Sequence, residues 1–336
     1  MRGYMQDSNH SNRRQIWLGA LVSVISLGAI FFFIEPSAIW KALQTANYRY
    51  LLLTAVGITL FLLLRAIRWR FMLRNEAPFA TIFHIQSVGY LVTNLLPLRV
   101  GDVARAVLIG NVPPITLARG LSTMVVERVL DMLFVVTLLP FTLAEAEAIP
   151  TWMQSAARAS GFAAVAAIVL LVVAANQRPF VHRLATLILQ RIPRLDQETW
   201  LRRLDDLLTG LSSLTRLGEG GFLLVLSVLL WLPILGAYYS ALTAVHIQPT
   251  WSMAAFVFCA SAFSVALPSS PGQIGVFHAS VIAALQILGQ PEAASASFAF
   301  LYHALNLLLM VIFGLYGLSS TGATFSKVLA AIRLRR

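Results

Sequence analysis

Glu127, Arg128 and Asp131 stand inside the apolar run VVERVLDML, residues 125–133. Glu127 and Asp131 are four apart and share one face of a helix, with Arg128 three before Asp131. Ionisable groups at bilayer depth are costly and mark pathways, relays or binding sites by default. A neutralised cluster that only locks helices together would use the same residues. A later run, FAFLYHALNLLL (298–309), repeats the spacing with Tyr302 and Asn306, and places His303 beside them. Hydrogen-bonding and titratable side chains at matched positions point to a shared polar cavity or charge relay.

Two other segments match each other: GYLVTNLLPLRVGDVARAVLIG (89–110) and SAFSVALPSSPGQIGVFHASVIAAL (261–285). Each is apolar, halts at a proline (Pro97, Pro268), and has a glycine four positions on (Gly101, Gly272) before helix resumes. Broken backbone inside a membrane survives only where protein buries it or water reaches it. Paired interruptions in two halves of a chain point to a substrate site. At the first tip, Asp102 suits an N-cap with Val103 opening the next helix. Arg99 and Arg105 flank it and can fork onto phosphate oxygens. An Asp102–arginine salt bridge pinning the tip is the other reading, and both can hold together.

At the second tip Ser270 suits an N-cap and Pro271 the first helical position. Ser269 and Gln273 offer neutral hydrogen bonds, and Gly272 and Gly275 permit close backbone approach. His278 follows one turn on, as a packing histidine or a functional one. Arg65, Arg68 and Arg70 surround Trp69 at the end of an apolar run. That pattern is an ordinary cytoplasmic anchor, with Arg65 the deepest and within reach of a headgroup.

Helices in a membrane must position these residues. Of 336 residues, 58% are hydrophobic and 12% charged, and mean hydropathy is +0.77. These values belong to polytopic helical membrane proteins, and continuous apolar runs exclude an alternating outer-membrane barrel. The net charge of +11 is shared with nucleic-acid binders, but here the arginines flank apolar runs, so no nucleic-acid partner is expected. A single cysteine, Cys259, excludes a disulfide framework.

Full spans are expected at 16–34, 49–72, 118–143, 158–175, 222–244 and 295–318. The interrupted segments, 79–110 and 250–288, have no room for two crossings each and read as re-entrant hairpins. With the N-terminus inside, the inner segments hold nineteen Lys and Arg, against Lys41, Arg49 and Arg158 outside. The count requires each hairpin to return to its side of origin. The expected fold is an all-α polytopic membrane protein with an inverted-topology repeat: six full transmembrane helices plus two re-entrant helical hairpins, both termini inside. Its parts are a cytoplasmic N-terminus (1–15), a first membrane repeat (16–143), an outer loop (144–157), a second repeat (158–318) and a basic cytoplasmic tail (319–336). The second repeat contains an amphipathic cytoplasmic linker, 177–220, suited to anionic headgroups or to a solvated connector.

No Walker motif, HExxH, nucleophile elbow or cysteine–histidine metal spacing occurs, so no catalytic residue, metal or cofactor is expected. RAIRWRFML (65–73), NLLPLRVGDVARA (94–106), VVERVLDML (125–133) and LPSSPGQIGVFHA (267–279) together resemble the flippase-like family that includes the transmembrane region of lysylphosphatidylglycerol synthases. The resemblance covers about 16–320. Fuller members join this region to a soluble aminoacyltransferase domain, and stand-alone members are thought to move lipids or lipid-linked sugars. The chain ends at Arg336 without that domain, so the resemblance implies translocation in the inner membrane rather than lysyl transfer. Membrane lipids with phosphate headgroups are the implied partners, with association with a lipid-synthesising enzyme as a further expectation. Carried over by motif are Arg68, Pro97, Arg99, Gly101, Asp102, Arg105, Glu127, Arg128, Asp131, Pro268, Gly272 and Gly275. The sequence departs at Asp102, where the family pattern has glutamate, and at His278, where it has an acid. Alternatives are the membrane part of a phosphatidylglycerol lysyltransferase system and a non-transporting scaffold for envelope biosynthesis.

Overall fold

The computed structural model describes residues 44–96, 100–142, 176–190, 217–264 and 271–321, with a few isolated positions outside these stretches. The spans expected at 16–34 and 158–175, the outer loop, most of the linker beyond 190 and the tail beyond Thr321 lie outside the described residues.

All regular structure among the described residues is helical. Helix α1 runs Tyr48–Met72, with the Asn47 side chain accepting the Arg49 N–H at its start. A tight turn with Arg74 and Asn75 at positive φ follows, clamped by Arg70 Nε donating to the Ala77 carbonyl at 3.0 Å. Helix α2 (Phe79–Leu95) returns alongside α1, with Gln86 Nε2 donating to the Leu62 carbonyl at 2.9 Å. Helix α3 (Val100–Ile109) and helix α4 (Leu117–Thr142) complete the first half. The linker contributes α5 (Arg178–Leu189). The second half contains α6 (Leu217–Leu229), α7 (Trp231–Ala244), α8 (Trp251–Ser264), a 3-10 turn at Pro271–Gln273, α9 (Val276–Ile287) and α10 (Glu292–Thr321).

Among the described residues three stretches are long and apolar enough to cross a membrane: Tyr48–Met72, Gly218–Ala244 and Glu292–Thr321. Each matches an expected span. Helix α4, with 26 residues, is as long but carries the charged cluster. Both interrupted segments form two helices with a break between them, as their prolines imply. The starts differ, however. Helix α3 begins at Val100, so Asp102 lies within its first turn rather than capping it. Helix α9 begins at Val276, five residues after Pro271. Gly272 and Gly275, at φ +70° and +90°, hold the chain in a left-handed turn that delays it.

Helix α3 folds back on α2 at a glycine crossing. A Cβ on Gly101 would lie 2.0 Å from the Gly89 carbonyl oxygen, so only glycine admits this approach. The halves meet along α1 and α7, where Thr54 Oγ1 reaches the Ala237 carbonyl at 3.4 Å and Asn47 N–H the Ala244 carbonyl at 2.8 Å. Several further helix contacts have counterparts in the other half. Helix α2 packs on α10 while α8 packs on α4; α1 packs on α2 as α7 does on α8; α3 packs on α4 as α9 does on α10. The core between them is aromatic around Trp231, whose ring stacks on Phe134 and tilts against Phe61 and Phe258.

Candidate functional site

Arg65, Arg68 and Trp69 occupy one face of α1, and Glu127 and Asp131 one face of α4, so the two helices meet through charge. Arg65 Nε donates to Glu127 Oε1 at 2.6 Å, and its Nη2 to Asp131 Oδ2 at 2.5 Å. Arg68 Nη2 donates to Asp131 Oδ1 at 2.7 Å, and its Nη1 to Ser227 Oγ on α6 at 3.3 Å. Arg105, from α3, brings Nη2 to Glu127 Oε2 at 3.0 Å. Its guanidinium lies 4.3 Å from the Trp69 ring centre, and Trp69 donates Nε1–H to Thr123 Oγ1 at 3.0 Å. Arg68 and Arg105 have no exposed surface, and Glu127 is 1% exposed. Uncompensated, each such charge would cost several kcal/mol, so the network is an all-or-nothing lock between α1, α3 and α4.

One pair differs. Arg128 Nη2 donates to both oxygens of Asp102, at 2.9 and 3.0 Å, and the two side chains are 34% and 27% exposed. They stand on the wall of an open cavity of about 310 Å³ lined by both halves. Arg65, Tyr90, Asn94 and Asp131 line it from the first half; Trp231, Gln273, Tyr302, His303 and Asn306 from the second. Gly272 brings the second tip close to the Asn94 carbonyl, so the break in the second segment faces the end of α2.

The expected site residues thus separate. Asp102, Arg128, Asp131, Gly272, Gln273, Tyr302, His303 and Asn306 reach the cavity. Arg68, Arg105 and Glu127 lie buried behind the wall, joined to it through Asp131 and Arg65. Gly101 serves the helix crossing. His278 stacks on His303 with ring centres 4.7 Å apart and accepts the Gly275 N–H at its Nδ1, 3.3 Å away. Arg99 and Ser270 lie outside the described residues. Among the described residues no group of His, Cys, Asp and Glu is arranged to hold a metal.

Sequence reasoning overlooked Tyr90, Asn94, Trp231 and Tyr238. Tyr90 and Asn94 carry a readable signal, the same spacing of four that marks Glu127/Asp131 and Tyr302/Asn306. Trp231 and Tyr238 carry none, since an aromatic in an apolar helix reads as packing.

The model of the lysylphosphatidylglycerol synthase TM region matches residues 16–314. A UPF0104 membrane protein of Methanothermobacter thermautotrophicus is 23% identical over 324 residues, spanning 91% of this chain and 94% of the relative. Another, from Methanocaldococcus jannaschii, is 31% identical over 116 residues, a third of each chain. The glycosyltransferase AglD of Haloferax volcanii is 32% identical over 129 residues, 37% of this chain but only 20% of that protein. No solved structure matches the chain. With the match extending from before α1 almost to the end of α10, the chain is a membrane protein that belongs to the lysylphosphatidylglycerol synthase transmembrane-region family.

Proposed function

We propose that this protein moves a lipid with an anionic headgroup across the inner membrane, through the cavity between its halves. The observation that carries the reading is that cavity: polar and charged groups from both halves converge on it within a membrane protein. Lipid tails would remain among the apolar helix faces while the headgroup traversed the polar interior. No nucleotide-binding motif accompanies the site, so a gradient, the membrane potential or downhill flow would drive the movement. The family and the glycosyltransferase relative favour a phosphate-bearing lipid, either a phosphatidylglycerol derivative or a glycosylated carrier. The reading extends to association with a lipid-synthesising enzyme.

The inverted repeat fits the paired packing of the halves. The re-entrant hairpins fit helix length: arms of 17, 10, 14 and 12 residues span roughly 15–26 Å, short of the ~30 Å hydrocarbon core. Residues on either side of the first hairpin meet, Arg119 Nη1 donating to Glu76 Oε2 at 2.5 Å. Helix α8 starts at the far end of α4, where Ser252 Oγ donates to the Thr142 carbonyl at 2.9 Å. The two hairpins would therefore enter from opposite faces. Helix α5 exposes Phe180, Leu184, Leu187 and Ile188 along one side, which suits a helix lying in the cytoplasmic headgroup layer.

Purified protein in vesicles, loaded with fluorescent phosphatidylglycerol in one leaflet, tests the reading. Faster equilibration between leaflets than in protein-free vesicles is expected. Rates no faster than in protein-free vesicles for phosphatidylglycerol, lysylphosphatidylglycerol and glycosylated polyprenyl phosphate alike would overturn it.

A further inference from the structure

We propose that the Asp102–Arg128 pair is an exchangeable clasp: a lipid phosphodiester carrying one negative charge replaces the Asp102 carboxylate on Arg128. The proposal rests on the translocation reading and names the atom group the cavity recognises.

Three observations converge. First, the other arginines are committed. Arg68 and Arg105 are sealed behind the wall, and Arg65 is held by both Glu127 and Asp131. Arg128 alone of the four is partly exposed on the cavity wall, and its bonds to Asp102 use Nη2 only, so the rest of its fork has no partner among the described residues. A guanidinium can therefore take two oxygens of an incoming anion in bidentate fashion.

Second, the cavity wall holds donors without matching acceptors. The Tyr90 hydroxyl and Trp231 Nε1 are buried with no hydrogen-bond partner among the described residues. The Asn94 amide donates only to the Met310 thioether, a weak acceptor, at 3.1 Å. Buried donors left in this condition are rare and expensive; neither the Tyr90 hydroxyl nor Trp231 Nε1 has surface open to the cavity, so an oxyanion satisfies them once the wall side chains shift to meet it.

Third, four guanidinium groups (Arg65, Arg68, Arg105, Arg128) face three carboxylates (Asp102, Glu127, Asp131) in one connected network. One positive charge is in excess. A monoanionic phosphodiester neutralises the network, whereas a diphosphate would overfill it and leave a buried negative charge. Both a glycerophospholipid and a sugar-bearing polyprenyl phosphate present this same phosphodiester.

Binding to the full-length protein in detergent would be measured with three probes: a short-chain phosphatidylglycerol, a short-chain polyprenyl phosphoryl-glucose, and geranylgeranyl diphosphate. The first two distinguish the lipid source. At least one should bind more tightly than the diphosphate. Arg128→Gln should weaken that binding about tenfold, the loss expected for one charged hydrogen-bonded partner, and Arg128→Lys less. Asp102→Asn, which removes the internal competitor, should tighten it, and Asp102→Asn with Arg128→Gln should bind no better than Arg128→Gln alone. A melting temperature within a few degrees of wild type identifies variants fit for comparison. Tighter binding of the diphosphate, or unchanged phosphodiester affinity in folded Arg128→Gln, overturns the clasp. Lipid movement that persists in that variant leaves translocation standing without it.

Discussion

The Arg105 guanidinium lies 4.3 Å from the centre of the Trp69 ring while its Nη2 donates to Glu127 at 3.0 Å. The arrangement ties α3, the helix after the first break, to α1 and α4 at once. A buried cation on an indole face contributes about 2 kcal/mol, and leaving Glu127 with fewer partners adds a larger cost. Arg105→Gln should therefore destabilise the protein by about 3–5 kcal/mol, the range for breaking a buried pair. Arg105→Gln with Glu127→Gln should recover part of that loss. Unfolding in detergent, followed by tryptophan fluorescence, measures both. Purely additive losses would remove Glu127 as the partner that matters.

Asp131 accepts from Arg65 and Arg68 while standing on the cavity wall, so it couples the lock to the site. Asp131→Asn should lower stability and also lipid movement in vesicles. Ser227→Ala removes the 3.3 Å contact from Arg68 and the bond Ser227 Oγ donates to the Leu223 carbonyl of its own helix at 2.8 Å, and should cost about 1 kcal/mol, with movement unchanged. Equal effects of the two on lipid movement would place the function elsewhere.

The sequence made much of this legible because its signals were local. Four matched apolar runs became α1, α4, α6–α7 and α10, and Pro97 and Pro268 marked both breaks. What it could not show was partnership. Arg99 and Arg105 read alike as flanks of one tip, with Asp102 as its N-cap or their salt-bridge partner, but the fold sends Arg105 inward to Trp69 and Glu127, and Asp102 across to Arg128. No spacing rule assigns a guanidinium to a carboxylate 22 or 26 residues away. Helix starts were misplaced for a related reason. Capping residues are common, and at the second tip a left-handed turn through Gly272 and Gly275 sets the start instead.

His278 closes that start, accepting the Gly275 N–H while its ring stacks on His303. His278→Leu should leave a buried N–H unpaired at about 1–3 kcal/mol. Hydrogen exchange at residues 275–280 should accelerate, and His278→Gln, which retains an acceptor, should restore protection. If both substitutions exchange alike, the histidine serves packing alone.

Two glycines provide a matched comparison for helix approach. A Cβ at Gly101 meets backbone at 2.0 Å, whereas one at Gly236 meets nothing within 4 Å. Gly101→Ala should force α2 and α3 apart and lose most folded protein. Gly236→Ala should be neutral or stabilising by up to about 1 kcal/mol from helix propensity. Yield and melting temperature of the two variants decide it, and a well-folded Gly101→Ala would contradict the crossing.

The proposal that the two hairpins enter from opposite faces makes the sharpest demand on topology. The only native cysteine, Cys259, is buried, so single cysteines introduced in its absence report cleanly. Asn75 precedes the first hairpin and Val112 follows it; Gln248 precedes the second and Gln290 follows it. A membrane-impermeant maleimide should label positions 75 and 112 from the cytoplasmic side, and 248 and 290 only from the other. The Arg119–Glu76 and Ser252–Thr142 contacts lie at opposite ends of the 26-residue α4, so positions 75 and 248 should label from opposite sides if α4 crosses the bilayer. Labelling of 75 and 112 from different sides would mean that α2 and α3 cross outright. The cavity would then be an interhelical groove rather than the meeting point of two dead-ended hairpins.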